Sequence, residues 1–300
     1  MTSVFTRRTV AAGAVCVVLG RGLPARAQDA MGAGLVRAPM TVTIALPGGK
    51  HARLAAYVVR PDRPGRFPLV VLVHGTPGGT GAEFLATIAR MSPDRYLGPA
   101  TAIAAHGYAV VSILRRGFGT SDGPYDEQIS GNCGNADYTR VGRISAEDVV
   151  GAAEALRAEP WADPNRIVLL GHSTGGFAVT AAAATNPPGV VGVLNFAGGR
   201  GGGGPDHVCG EERLMDAFHT FGSTARVPAL WLYAQNDDFY GPGLARRMFA
   251  AYTGAGAQAR LVMLPPVGSG SDGHMAIKTA PHEVIWPPVA AFLASLNLPT

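Results

Sequence analysis

The stretch that most constrains this chain is residues 166–176, R-I-V-L-L-G-H-S-T-G-G. Ile167, Val168, Leu169 and Leu170 form an unbroken apolar run, the pattern of a strand buried on both faces in a parallel sheet. The glycine-rich segment Gly171 to Gly176 follows at once, and residues 177–184 read as an apolar, alanine-rich helix. G-x-S-x-G between a strand and a helix predicts a turn too tight for side chains two residues either side of the serine. Such a turn holds Ser173 at the tip of the strand, hydroxyl exposed, above a helix N-terminus. Ser173 is the candidate nucleophile. The plainer alternative is a glycine-rich turn with an incidental serine, so partners must be found elsewhere in the chain.

The surrounding pattern alternates strand and helix. Residues 28–39 read as a flexible lead-in, and residues 41–45 and 54–59 as an antiparallel strand pair around Pro47-Gly48-Gly49. Further strands are expected over 67–73, 108–113, 190–196, 229–234 and 260–264. Helices are expected over 82–90, 96–105, 144–158 (with Ser145 as a cap), 213–221, 243–252 and 281–296. Residues 123–143 are polar and glycine-rich without periodicity, a long loop of the kind that forms lids. Nothing rich enough in Pro, Ser or charge marks a linker. Residues 28–300 therefore read as one α/β domain, a mostly parallel central sheet with helices on both faces.

A serine hydroxyl is a weak nucleophile and needs a base, an acid that orients the base, and donors for an oxyanion. In an open α/β sheet these belong at the carboxyl ends of strands. The strand over 229–234 runs into Gln235-Asn236-Asp237-Asp238, which makes Asp237 the candidate acid and Asp238 the second choice. The last strand is followed by a loop that delivers His274, the candidate base. His282, His219 and His207 fall on or beside helices or in the glycine-rich loop, and His172 is expected to point away into the packing of the turn. One oxyanion donor is expected from the Thr174 N–H, next after the nucleophile. The other should come from His74-Gly75-Thr76-Pro77-Gly78. Pro77 has no N–H, so Thr76 is favoured over Gly78, with His74 as a brace for the loop.

The order Ser173…Asp237…His274, with H-G-T-P-G-G before it and G-H-S-T-G-G within it, resembles the α/β-hydrolase superfamily. Within that superfamily the chain resembles exported bacterial proteins grouped with dienelactone hydrolases and prolyl-oligopeptidase-like serine esterases. R-R-G-F-G-T-S-D-G, Arg115 to Gly123, resembles a segment common in such hydrolases. The likeness implies the α/β-hydrolase fold and a Ser-His-Asp serine hydrolase that cleaves a carboxylic ester through an acyl-enzyme. It also implies a small-molecule ester as partner, and neither cofactor nor metal. Dienelactone hydrolases proper use a cysteine nucleophile where this chain has Ser173. A peptidase of the prolyl-oligopeptidase type is the alternative, although no propeller domain precedes the catalytic pattern. A non-catalytic binding protein on the same fold is a third reading, disfavoured because all three positions are filled.

The first 27 residues read as a separate object. Arg7-Arg8 precede an apolar run over residues 10–19, and Ala25-Arg26-Ala27 offers small residues for cleavage, as in a secretory leader. Thr6-Arg7-Arg8-Thr9-Val10 also resembles a twin-arginine signal. The run is about half the length of a membrane span, and no span is expected in the mature chain. Residues 1–27 carry four arginines and no acid, so the net charge of +4 becomes 0 without them. That balance, with no basic stripe, argues against a nucleic-acid partner. A periplasmic or secreted location follows as an expectation. Residues 28–300 keep two cysteines, Cys133 and Cys209, an even number in an oxidising compartment. Both lie in glycine-rich loops at the expected catalytic edge, with the Ser173 strand between their strands in the sheet, and are expected to form a disulfide.

Overall fold

Strands β1 (Leu35–Leu46) and β2 (Lys50–Pro61) pair antiparallel around the Pro47–Gly49 turn, the hairpin expected from its Pro-Gly-Gly. The computed structural model describes residues 34–300, so the expected leader, residues 1–27, lies outside the described residues. The described end of the lead-in is not loose: Leu35 to Pro39 already belong to β1, held by register pairing with β2 from Leu35 opposite Pro61 onward.

β3 (Phe67–Val73), β4 (Ala109–Ile113), β5 (Ala162–His172), β6 (Val190–Phe196), β9 (Ala229–Ala234) and β10 (Ala259–Leu264) complete one sheet. Its order is β1-β2-β4-β3-β5-β6-β9-β10, antiparallel from β1 through β4 and parallel from there on. A small ribbon of β7 (Gly202–Gly204) and β8 (His207–Val208) stands apart. β5 is flanked by β3 and β6, so the Ser173 strand does lie between β4 and β6, with β3 intervening.

The continuous apolar runs are explained by the two layers of helices. Leu69, Val71, Ile167, Leu169, Trp231 and Tyr233 face one core, while Val70, Leu72, Val168, Leu170, Leu230 and Leu232 face the other. Successive side chains of a strand point to opposite faces, so a strand covered on both sides must be apolar at every position. Helices α3 (Tyr138–Leu156), α4 (Thr174–Ala183), α5 (Glu211–Thr224) and α6 (Pro242–Gly254) contribute to the first core. Helices α2 (Leu97–Ala105), α7 (Ala276–Thr279) and α8 (His282–Ser295) cover the second. Helix α1 (Gly81–Ala89) follows β3.

Two sequence expectations need correction. The loop expected over residues 123–143 ends earlier, because α3 begins at Tyr138. Asp137 caps it, accepting from the Arg140 N–H at 3.0 Å, and Tyr138 and Val141 are buried in the first core. Ser145 is no cap but lies buried inside the helix, donating to the Val141 carbonyl at 2.8 Å. The helix expected over 96–105 is α2, Leu97–Ala105, preceded by a short 3-10 turn, Pro93–Tyr96, that buries Tyr96. Cys133 and Cys209 form a disulfide, Cα to Cα 4.8 Å, joining the loop before α3 to the segment just past β8.

Candidate active site

Ser173 stands between β5 and α4 with φ 55° and ψ −122°, a left-handed backbone that is costly for a residue with a Cβ. The flanking glycines are fixed by close approach. A Cβ on Gly171 would run into the carbonyl of Gly175, and one on Gly175 into the carbonyl of Val73. The turn is the one that the spacing predicts.

The carboxyl ends of β9 and β10 deliver the two expected partners to it. His274 Nε2 lies 3.0 Å from Ser173 Oγ, and its Nδ1 lies 3.1 Å from each oxygen of Asp237. A carboxylate only accepts, so Nδ1 carries the hydrogen and Nε2 is left to accept from the serine hydroxyl. Asp237 is held in turn, since its Oδ1 accepts from the N–H groups of Phe239 and Tyr240 at 2.8 Å each. All three side chains are buried. Asp238 makes no hydrogen bond to His274 among the described residues, and its Oδ1 is buried without a partner. His282 stacks with His106 and Trp286, and His207 and His219 are exposed.

The loop after β3 is braced by its histidine. Arg115 N–H donates to His74 Nε2 at 3.1 Å, so the ring hydrogen sits on Nδ1, which donates to the Gly75 carbonyl at 2.9 Å. Burial, then the Arg115 charge, pushes His74 well below the ordinary histidine range and keeps it neutral. Carbonyl and N–H point oppositely across a trans peptide, so pinning the Gly75 carbonyl turns the Thr76 N–H the other way. Thr76 Oγ1 and Thr174 Oγ1 are 2.8 Å apart. The two residues expected at the oxyanion are thereby joined. Thr174 is also the first residue of α4, where helix N–H groups lack partners within the helix.

Beneath them lies a buried ion cluster that carries no signal in the sequence beyond the R-R-G-F string. Arg115 donates to the His74 carbonyl at 2.6 Å, to Thr174 Oγ1 at 3.2 Å and to Glu127 Oε2 at 3.0 Å. Arg200 donates to Glu127 Oε2 at 2.8 Å and to the Tyr125 hydroxyl at 3.0 Å. Burial alone would raise the Glu127 carboxyl, but the Arg115 and Arg200 guanidiniums overcome it and hold it at about 2. His172 also departs from expectation. It is buried as foreseen, yet it is bonded to the site, Nδ1 to the Tyr96 hydroxyl at 2.7 Å and Nε2 to the His274 carbonyl at 2.8 Å.

Ser173 and His274 open onto a cleft of ≈ 660 Å³. Tyr125, Glu127, Gln128 and Ile129, from the loop expected over 123–143, and Arg200 to Gly202 line it. Further lining comes from residues 75–81, from Phe84 and Leu85 of α1, and from Phe239 and Tyr240. Leu85 and Phe239, the large apolar side chains exposed among the described residues, both face this cleft.

A model of the alpha/beta hydrolase family matches residues 70–294. An uncharacterized peptidase of Bacillus subtilis (strain 168), YuxL, is 27% identical over 216 residues, 66% of this chain but 30% of its own length. The chain thus spans less than a third of that relative. Among solved structures, acylaminoacyl peptidase of Pyrococcus horikoshii aligns over 86% of this chain and 41% of its own, at 16% identity and TM-score 0.59. A proposed dienelactone hydrolase of Klebsiella pneumoniae aligns over 88% of this chain and 98% of its own, at 16% identity and TM-score 0.55. At such identities these structures speak for the fold.

Proposed function

This chain belongs to the alpha/beta hydrolase family, and from that premise we propose that it is a serine hydrolase cleaving carboxylic esters through an acyl-enzyme. The observation that carries the reading is the unbroken contact from Ser173 Oγ through His274 to Asp237, at the mouth of a cleft. Ser173 attacks the ester carbonyl carbon as His274 Nε2 takes its proton. Asp237 stabilises the imidazolium that results. The tetrahedral oxyanion lies against the Thr174 and Thr76 N–H groups. Collapse expels the alcohol, which takes the proton from His274. Water, deprotonated by the same imidazole, then releases the acid and restores Ser173.

Leu85 and Phe239 support a substrate with an apolar group. An exposed apolar pair in a cleft gains by being covered. The alternative, a peptidase, draws support from the likeness to YuxL and to acylaminoacyl peptidase. Against it, Glu127, the carboxylate among the cleft's lining residues, is already taken by two arginines and is poorly placed to hold a peptide amine. Export is part of the proposal, supported by the leader-like residues 1–27 and by the Cys133–Cys209 disulfide. Among the described residues no helix is long and apolar enough to cross a membrane. The test is turnover of p-nitrophenyl esters of graded acyl length beside aminoacyl p-nitroanilides. Faster cleavage of the esters is expected, and cleavage of anilides alone would favour the peptidase.

A further inference from the structure

The histidine that precedes the candidate nucleophile has no part in the steps above, yet it is bonded at both ring nitrogens. We propose that His172 is a positioning residue, the middle of a hydrogen-bond chain that runs from the Gly75 backbone through Tyr96 to the main chain of His274. The proposal rests on the assignment of His274 as the base.

The direction of the chain follows from its ends. The His274 carbonyl can only accept, so His172 Nε2 carries a hydrogen and donates to it at 2.8 Å. A neutral ring then has a bare Nδ1, which must accept from the Tyr96 hydroxyl at 2.7 Å. Burial, and next the facing His274 ring, holds the His172 pKa at about 3, so the ring is neutral under ordinary conditions. Having given its hydrogen away, the Tyr96 oxygen accepts the longer contact from the Gly75 N–H at 3.4 Å. Every donor meets an acceptor, and the tautomer is fixed.

The chain links the two parts of the site that must keep register. At one end is Gly75, whose N–H is in the chain and whose carbonyl, in the following peptide plane shared with the Thr76 N–H, accepts from His74. At the other is the backbone of His274, which otherwise arrives on a loop after β10. His172 and Tyr96 are 3% and 2% exposed, so water cannot replace a lost partner, and removing one leaves a buried group unpaired. A shift of a few tenths of an ångström in His274 affects the step in which the proton moves more than the binding of the ester.

The test uses Tyr96→Phe, His172→Gln, His172→Phe and the double Tyr96→Phe/His172→Phe, with a short p-nitrophenyl ester and thermal melts of each. Tyr96→Phe is expected to lower kcat ~10-fold with KM within about twofold, the scale of one buried hydrogen bond. His172→Phe should lose on the order of 100-fold, and His172→Gln, whose amide can still donate to the His274 carbonyl, should recover most of it. The double variant should be no worse than His172→Phe, because both break one chain. Wild-type kcat in Tyr96→Phe and His172→Phe, losses that multiply in the double variant, or losses that vanish well below each melting midpoint would overturn the proposal. Nitrogen-15 spectra of the histidine rings in the unmutated protein give a reading independent of turnover. A protonated Nε2 with a bare Nδ1 on His172 supports the chain, and the opposite tautomer ends it. If the unmutated protein turns over no ester while His172 shows the expected tautomer, the functional reading fails and the chain stands.

Discussion

Arg115 donates through Nη2 to Thr174 Oγ1 at 3.2 Å, joining a buried ion cluster to the residue that follows Ser173. Two guanidiniums, those of Arg115 and Arg200, share the single carboxylate of Glu127, which leaves a net positive charge in the cluster bonded to Thr174. Arg115→Lys keeps the charge but cannot make the fork of bonds to Glu127, the His74 carbonyl and Thr174. The expected result is a loss in kcat of about 10- to 100-fold at nearly constant KM. Arg115→Met should also cost on the order of 3 kcal/mol in stability, because Glu127 loses one of its two partners. Steady-state kinetics with urea melts measures both, and unchanged kcat in both variants would remove the cluster from the account.

Asp237→Asn and Asp238→Asn separate the orienting acid from its neighbour. Asp237 meets His274 Nδ1 and two backbone N–H groups, whereas Asp238 makes no bond to His274 among the described residues. Loss of about 10⁴ in kcat is expected for the first, and activity within a few-fold of the unmutated protein for the second. Comparing kcat of the two purified variants decides it, and the reverse order would contradict the assignment.

The parts of this site legible in the sequence are those that chain order and strand ends locate. Ser173, Asp237 and His274 each come after a largely apolar run that reads as a strand, and the glycines at 171 and 175 report close backbone approach directly. Tyr96, Arg115, Glu127 and Arg200 carry no such signal, because their roles depend on contacts between residues distant in sequence. Glu127 meets Arg200 across 73 positions, within loops that show no periodicity. The misplaced start of α3 has a similar cause. Its first turn is polar in sequence and is made helical by the Asp137 cap and by burial of Tyr138, neither of which follows a repeating pattern.

Acid should weaken the fold through three buried groups whose folded pKa values lie below their unfolded ones, His172, His74 and Glu127. His172 is held at about 3 against an ordinary 6.5, and Glu127 at about 2 against 4.5. In each case the unfolded chain binds the proton first, so stability present above the unfolded value is lost as pH falls. His172 acts from about pH 6.5 down to 3, and Glu127 from about 4.5 to 2. Asp148, which burial raises to about 6 from 3.8, opposes this between those values, so the His172 contribution is read as a shallower acid dependence of melting temperature in His172→Phe than in the unmutated protein. Glu127→Gln should flatten the part below pH 4.5. Equal acid dependence in His172→Phe and the unmutated protein from pH 6.5 to 3 would refute the buried neutral imidazole.

Reducing the Cys133–Cys209 disulfide should lower the melting temperature and raise KM more than it lowers kcat. The bond closes a loop of 76 residues in sequence, for which chain entropy gives about 4 kcal/mol as an upper figure. It also ties together the segments that follow Tyr125 to Ile129 and Arg200 to Gly202, two walls of the cleft. Melts and ester kinetics with and without reductant test both effects, and an equal melting temperature in the two states would contradict the first.

Covalent labelling of Ser173 tests its role as nucleophile most directly. A fluorophosphonate probe should modify the unmutated protein at Ser173, located by mass spectrometry of the digested peptide. Ser173→Ala should take no label and lose on the order of 10⁴- to 10⁶-fold in kcat on a p-nitrophenyl ester. A Ser173→Ala protein that folds and still turns over the ester at the unmutated rate would contradict the account.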